Sequence, residues 1–190
     1  MRTKVLLTLV VLLGQILTLN AQSSDQLLEK IEKANSNLKT RSMNFTELRE
    51  PAGKAAKQLD GTLTYDPKSG LVMNYTDPNE HFVINGNTMT VKREGLELFF
   101  DLTKNKSMKT LSTMLMSSFD GKLRTLANDN KASIAATSLK GCTEVTMQAL
   151  KKAVKGYAKI ILRYDEKTNQ IIYMMLEEFD GTKTTYELKK

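Results

Sequence analysis

The sequence predicts a mainly β fold of the α+β kind, with about eleven antiparallel strands, an N-terminal helix and one helix inserted in mid-chain. Three observations lead to this fold class. Apolar residues alternate with polar ones over most of the chain, and turn residues interrupt this alternation at short intervals. Two stretches instead carry apolar residues at helical spacing. So many short strands must pack as a sandwich or curl into a barrel, because both arrangements protect sheet edges.

The first residues have the layout of a secretory signal peptide. Arg2 and Lys4 precede an apolar run over residues 5–13, and Ala21 offers a small residue for cleavage. A run of this length falls short of the roughly 20 residues that a membrane-spanning helix needs. We therefore expect residues 1–21 to be a signal peptide and residues 22–190 to form a single secreted domain without a lipid anchor.

An amphipathic helix is predicted directly after this segment, over residues 24–38. Its apolar residues recur at helical spacing, and Ser24 or Asp25 can cap its N-terminus. These apolar residues are Leu27, Leu28, Ile31, Ala34 and Leu38.

Six strands in a meander are predicted between residues 40 and 102. The alternating apolar residues that indicate them include Met43, Phe45, Leu63, Tyr65, Leu71, Met73, Tyr75, Met89 and Val91. Asn85-Gly86 follows Phe82 to Ile84 and is the strongest hairpin signal in the chain. This dipeptide tolerates the positive φ that a type I′ turn demands at both central positions.

The inserted helix is predicted within "SMKTLSTMLMSSF", where Ser107 can cap and Gly121 can end the helix. Met108, Leu111, Leu115 and Phe119 share one face, with Met114 beside them. A polar stretch over residues 122–131 follows. The remaining strands are predicted at about 132–139, 143–149, 157–164, 170–177 and 182–188.

The residue inventory gives little support to an enzyme. His81 is the single histidine, so a histidine-rich metal site is excluded, and Cys142 is the single cysteine. No glycine-rich phosphate loop is visible. The net charge of +7 is scattered rather than gathered into a nucleic-acid-binding surface. We therefore expect no catalysis, no metal, no cofactor and no nucleic-acid partner.

Methionine is the more informative residue. Nine of the ten methionines lie outside the predicted signal peptide, and the chain has no tryptophan. Methionine is unbranched and polarisable, so it adapts to neighbours of variable shape. The methionines are therefore interpreted either as ordinary core or as a wall for flexible hydrocarbon.

The order of these motifs resembles the LolA family of periplasmic outer-membrane lipoprotein carriers. The motifs are Phe45-Thr46-Glu47, Gly61-x-Leu63-x-Tyr65-x-Pro67, Leu71-x-x-x-Tyr75-x-x-Pro78, the turn at Asn85-Gly86 and a final strand-turn-strand-turn-strand unit with Asp180-Gly181. The resemblance runs from about Leu27 to Leu188. It implies an open antiparallel half-barrel of about eleven strands whose hollow is covered by an N-terminal helix and an inserted lid helix.

The resemblance also implies a function. Such a protein would be a periplasmic chaperone, expected to be monomeric, that shelters the acyl chains of lipoproteins. It would collect them from an inner-membrane ABC-type releasing complex and give them to an outer-membrane receptor. Two alternatives stay open: a carrier of free lipid or glycolipid, and an envelope sensor of lipoproteins.

Thirteen apolar residues are predicted to contact the lipid, on the expectation that they face the hollow; the alternative is that they fill a solid core. They are Leu63, Met73, Phe82, Ile84, Met89, Val91, Leu111, Met114, Leu115, Ile160, Leu162, Met174 and Leu176. One position departs from the family. An arginine that holds the lid closed in well-known members is replaced here by Asp66, and Lys68 nearby is no equivalent for a guanidinium.

Overall fold

The computed structural model describes residues 23–154 and 156–189, and within them one antiparallel sheet of eleven strands. The predicted signal peptide, residues 1–21, lies outside the described residues. The strands are β1 (Arg41–Glu50), β2 (Lys57–Asp66), β3 (Gly70–Tyr75), β4 (His81–Asn85), β5 (Thr88–Arg93), β6 (Leu96–Asp101), β7 (Ala132–Leu139), β8 (Cys142–Ala149), β9 (Tyr157–Asp165), β10 (Ile171–Glu178) and β11 (Lys183–Lys189).

The strand order leaves the sheet open. It runs β6-β5-β4-β3-β2-β1-β11-β10-β9-β8-β7, so the first and last strands pair at the centre while β6 and β7 form the two edges. The chain between these two edges, residues 102–131, contains two helices. The predicted open half-barrel is thus confirmed, and its topology places helices between the two free edges.

Three helices accompany the sheet: α1 (Ser24–Asn35), α2 (Lys106–Asp120) and α3 (Leu123–Asp129). Helix α1 begins with a capping box, in which Ser23 and Gln26 bond each other's backbone N–H groups. The side chain of Asn105 caps α2, and Gly121 ends it in the left-handed conformation with φ 72°. No helix within the described residues is long and apolar enough to cross a membrane.

The strand predictions are confirmed with small changes at the ends, whereas the predictions for the two expected helices need three corrections. The expected caps Ser24 or Asp25 and Ser107 are wrong, because Ser23 and Asn105 cap instead. The N-terminal helix ends at Asn35 rather than residue 38.

Helix α3 was not predicted at all, because its segment was read as a polar stretch. Leu123, Leu126 and Ala127 are buried at helical spacing, so an apolar signal was present. It spans only seven residues and no side chain caps it. Packing against β7 and α2 therefore stabilises it where its own sequence gives weak support.

The hairpin at Asn85-Gly86 is confirmed, but its turn is shifted by one residue. Asn85 pairs with Thr88, which makes Gly86 and Asn87 the central residues. Of these only Gly86 has a positive φ, at 56°. A glycine at the first central position is the pattern of a type II′ turn rather than the expected type I′ turn.

Candidate functional site

The thirteen residues predicted to contact lipid all belong to one hydrophobic cluster. Val91 and Leu111 are half-buried and pack against it, and the other eleven are buried. The alternation of buried and exposed residues puts the strand members on one face of the sheet, called here the inner face. Their proximity is therefore observed, while contact with lipid stays a prediction.

Cross-strand pairing makes the inner face continuous from one half of the sheet to the other. In the first half Met73 pairs with both Leu63 and Phe82, and Ile84 pairs with Met89. In the second half Leu162 pairs with Met174 and Val145, and Leu176 pairs with Ile160. These pairs form a continuous apolar surface, in which the unbranched side chains of Met73, Met89 and Met174 can adapt to a flexible chain.

Helix α2 covers this surface with its apolar side. Met114, Leu115 and Phe119 are buried against the sheet. Ser117 and Ser118 are buried too, and the Ser118 hydroxyl donates to the backbone oxygen of Met114 at 2.8 Å. Because these serines are small and Ser118 satisfies its hydroxyl within the helix, the helix can lie close to the apolar surface.

The interior is closed in this conformation. The space between α2 and the centre of the sheet is too small for a water molecule. Its apolar lining consists of Leu63, Leu71, Met73, Leu115, Phe119, Met174, Tyr186 and Leu188. An acyl chain could enter this space only if α2 moved away from the sheet.

Two tyrosines hold the C-terminal end of α2. The hydroxyl of Tyr65 on β2 donates to the carboxylate of Asp120, and its ring stacks on Phe119 with 5.0 Å between centroids. The hydroxyl of Tyr164 on β9 donates to the backbone oxygen of Ser118 at 2.8 Å. Both halves of the sheet are thus tied to the last turn of the helix.

Asp66, which stands where the family arginine is expected, makes no such contact. Its carboxylate accepts bonds from the hydroxyl of Thr40 and from the backbone N–H groups of Lys68 and Ser69. These bonds, that of Thr40 above all, hold the pKa of Asp66 well below its usual range. Asp66 therefore stabilises the β2–β3 turn, and Tyr65 and Tyr164 hold helix α2.

A buried ionic network, which the sequence reading did not identify, lies at the other end of the same strands. Glu47 and Arg49 follow Phe45 on the inner side of β1, and Glu47 is completely buried. Arg49 donates from Nε to Glu47 Oε1 at 2.5 Å and from Nη2 to Oε2 at 3.1 Å. Its Nη1 donates to Glu80 Oε2 at 2.9 Å, and Lys57 Nζ donates to Glu80 Oε1 at 2.7 Å.

Two tyrosine hydroxyls complete this network. Tyr75 donates to Glu47 Oε2 at 2.5 Å, and Tyr186 donates to Oε1 at 3.4 Å. Burial and the charge of Glu47 raise the pKa of Tyr75 well above its usual value, so its hydroxyl stays protonated and able to donate. The alternation Phe45-x-Glu47-x-Arg49 was the signal that could have placed these charges inside.

The two residues considered for enzyme chemistry are not brought together. His81 pairs with Lys92 on β5, and Cys142 pairs with Asp165 on β9. Both precede an inward residue, Phe82 or Thr143, so both lie on the outer face, on opposite halves of the sheet. Within residues 23–154 and 156–189 no three His, Cys, Asp or Glu side chains are close enough to hold a metal.

Comparison with known proteins gives matches among solved structures alone. No family model matches the chain, and no curated protein does. A LolA superfamily protein from Nitrosomonas europaea is 9% identical, with 90% of this chain and 93% of that chain covered and a TM-score of 0.40. LprF from Mycobacterium bovis is 14% identical, with coverages of 88% and 91% and a TM-score of 0.43.

The lipoprotein LppX from Mycobacterium tuberculosis is 12% identical, with coverages of 88% and 96% and a TM-score of 0.43. All three are distant likenesses, so what this chain binds has to be inferred from its own residues.

Proposed function

We propose that this protein binds acyl chains between the inner face of its half-barrel and helix α2, and carries them through an aqueous compartment. One observation carries the proposal: the apolar inner face is covered by a helix that lies between two sheet edges that never pair. Moving α2 therefore breaks no strand-to-strand hydrogen bond. The sheet can stay folded while its interior opens.

The energetics suit a carrier that must also release its cargo. Burial of each CH₂ group is worth about 0.8 kcal/mol, so free acyl chains stay in membranes or aggregate. Opening α2 exposes the apolar side chains of Met114, Leu115 and Phe119, and this cost offsets part of the gain. A carrier with a small net affinity can pass its cargo on.

The cargo we propose is the lipid-modified part of lipoproteins, carried across the periplasm from the inner to the outer membrane. An inner-membrane ABC-type complex would supply it and an outer-membrane receptor would accept it, without catalysis by this chain. The sequence motifs shared with LolA carriers and the signal-peptide layout of residues 1–21 support this role.

Uptake of a fluorescent fatty chain by delipidated protein tests the proposal. We expect saturable binding that an acylated lipoprotein displaces and its unacylated form does not. Leu111→Glu places a charge on the apolar side of α2 and should abolish uptake, whereas Ser107→Glu adds the same charge at an exposed position of α2 and should not. Absence of uptake by the unaltered protein would refute the proposal.

A second measurement separates lipoproteins from free lipids as cargo. Mass spectrometry of the material extracted from freshly purified protein should find acylated peptides or lipoproteins. Phospholipid or glycolipid alone would instead favour the free-lipid carrier, which the same fold could serve.

A further inference from the structure

The two ends of the inner face differ. At one end Tyr65 and Tyr164 fasten the last turn of α2 over the strands. At the other end of β1, β2 and β11 lies the network of Glu47, Arg49 and Lys57. A bound chain would therefore have one end of its space closed by the last turn of α2 and the other end bordered by the buried network.

The apolar surface continues up to these charges. Tyr186 borders the small space under α2 with its ring and donates its hydroxyl to Glu47. The hydroxyl of Tyr75 lies 4.0 Å from the sulfur of Met73, another lining residue. A lipid whose tails filled the space under α2 would thus bring its head group to the network.

This end is also the more accessible one. Leu96 and Leu98 on the edge strand β6 pair with Arg93 and Val91, which places them on the inner face. They are nevertheless 65% and 45% exposed, and Arg93 is exposed as well. Helix α2 therefore leaves this corner of the inner face uncovered, so a head group could stay near water.

The charges of the network decide which head group fits. The side chains of Glu47 and Glu80 are fully buried, while that of Arg49 is 13% exposed and that of Lys57 is 40% exposed. Lys57 also lies 3.8 Å from a carboxylate oxygen of Asp77, so the two cations of the network face three carboxylates. The guanidinium of Arg49 donates one hydrogen bond to Glu80, two to Glu47 and one to Tyr75. One of its five N–H groups is therefore left for a ligand.

On the basis of the proposed function, we propose that this network selects cargo with an uncharged, hydrogen-bonding head group and rejects anionic lipids. An ester or amide oxygen can accept the remaining N–H of Arg49 without adding a charge to the network. A phosphate would sit beside two buried carboxylates, and such like-charge neighbours act against the wrong ligand. The amide- and ester-linked acyl chains of a modified amino terminus belong to the accepted class, and free phospholipids with a net negative charge to the rejected class.

Displacement of a fluorescent fatty-alcohol reporter by two competitors with the same acyl chain provides the test. One competitor is a monoacylglycerol and the other is the corresponding lysophosphatidic acid, both measured at low ionic strength. We expect the uncharged competitor to displace the reporter at a concentration that is lower by a factor of about ten or more. Equal potency, or a preference for the phosphate, would overturn the inference while leaving acyl-chain binding intact. Failure of the reporter itself to bind would refute both proposals.

Two variants give opposite expectations. Glu47→Gln removes one carboxylate and should bring the preference below about threefold, whereas Lys57→Met removes a half-exposed cation and should widen it. Glu144→Gln, whose carboxylate pairs with Arg163 away from the inner face, should keep the original preference. An unchanged ratio in Lys57→Met would contradict the inference even if Glu47→Gln did not fold.

Discussion

Arg49 is the residue on which the buried network depends. It contacts Glu47 and Glu80, two carboxylates whose side chains water does not reach, and it lies between them. Removing one partner of a buried ion pair costs more than the pair contributes, because the remaining charge stays buried without compensation. Arg49 compensates two such charges at once.

Replacement of Arg49 by methionine should therefore destabilise the protein strongly. Methionine keeps most of the volume but leaves Glu47 without its bidentate partner, so we expect a loss of about 3–5 kcal/mol in the free energy of unfolding. Denaturant unfolding measures this loss. Arg163→Met removes a surface pair with Glu144 and should cost about 1 kcal/mol or less. Similar losses in the two variants would show that Glu47 and Glu80 do not depend on Arg49 for compensation of their charges.

The same residues show how far single positions can be predicted from a sequence. Ten of the thirteen inward residues followed from strand alternation, and Leu111, Met114 and Leu115 followed from the helical spacing of apolar residues in α2. Glu47 and Arg49 obey the same alternation, but their charges indicate a solvated surface. Lys57 lies on β2 and Glu80 directly precedes β4. No local pattern predicts that residues so far apart in the sequence form ion pairs.

At the scale of elements, the last turn of α2 is held by two tyrosine hydroxyls, one from each half of the sheet. Tyr65→Phe and Tyr164→Phe each remove one hydroxyl and leave the ring in place, so the stack of residue 65 on Phe119 can persist. A neutral hydrogen bond such as that of Tyr164 contributes about 1 kcal/mol, which corresponds to a population change of roughly fivefold, and the bond of Tyr65 to the Asp120 carboxylate contributes more.

We therefore expect Tyr164→Phe to speed uptake of a fluorescent fatty chain by about fivefold and Tyr65→Phe to speed it by more. Stopped-flow fluorescence measures the rate. Tyr173→Phe alters a tyrosine that stacks with Arg163 and lies away from α2, so it should leave the rate unchanged. Uptake rates that are equal in all three variants would show that the tyrosines do not hold the helix.

Gly121, between α2 and α3, is constrained by both its backbone and its neighbours. Its φ of 72° favours glycine, and a Cβ atom there would lie 3.0 Å from Asn35 Cβ and 3.1 Å from Ile31 O on α1. Gly53 has nearly the same φ, 71°, with nothing within 4 Å of a Cβ atom. Comparison of the two glycines therefore separates the cost of backbone strain from the cost of steric contact with α1.

Gly53→Ala should cost about 1–2 kcal/mol in the free energy of unfolding, because alanine must adopt the left-handed conformation. Gly121→Ala should cost about a further 1 kcal/mol or more, because α1 must also shift. Thermal and denaturant unfolding of both variants measure the difference. Equal costs would mean that α1 yields freely to the added methyl group.

The missed helix α3 illustrates why some elements are easier to predict from the sequence than others. Strands β7 to β11 were located to within a residue or two because each is bounded by turn residues and alternates internally. Helix α3 has two turns, no capping side chain and polar residues over half its length. Its stability comes from packing of Leu123 and Leu126 into the core, which a local pattern does not reveal.

At the scale of the whole molecule, the topology separates stability from opening. The first strand pairs with the last, so hydrogen bonds run without a break through all eleven strands, and the helices between β6 and β7 add no strand to the sheet. Opening thus has a cost that does not depend on the ligand: the loss of contacts between α2 and the inner face. The free energy gained on binding grows with the length of the acyl chain that replaces α2.

This separation predicts how affinity should change with acyl-chain length. In a series of monoacylglycerols from about eight to about fourteen carbons, each added CH₂ should tighten binding by up to about fourfold, the equivalent of 0.8 kcal/mol. Displacement of the fluorescent fatty-alcohol reporter measures the series. Because the cost of moving α2 is the same for every member, it shifts all affinities together and leaves the slope unchanged.

Adsorption onto exposed side chains such as Leu96 and Phe99, which are 65% and 74% exposed, would bury little of each chain and give a shallow slope. An affinity independent of chain length would therefore mean that the ligand stays outside the half-barrel.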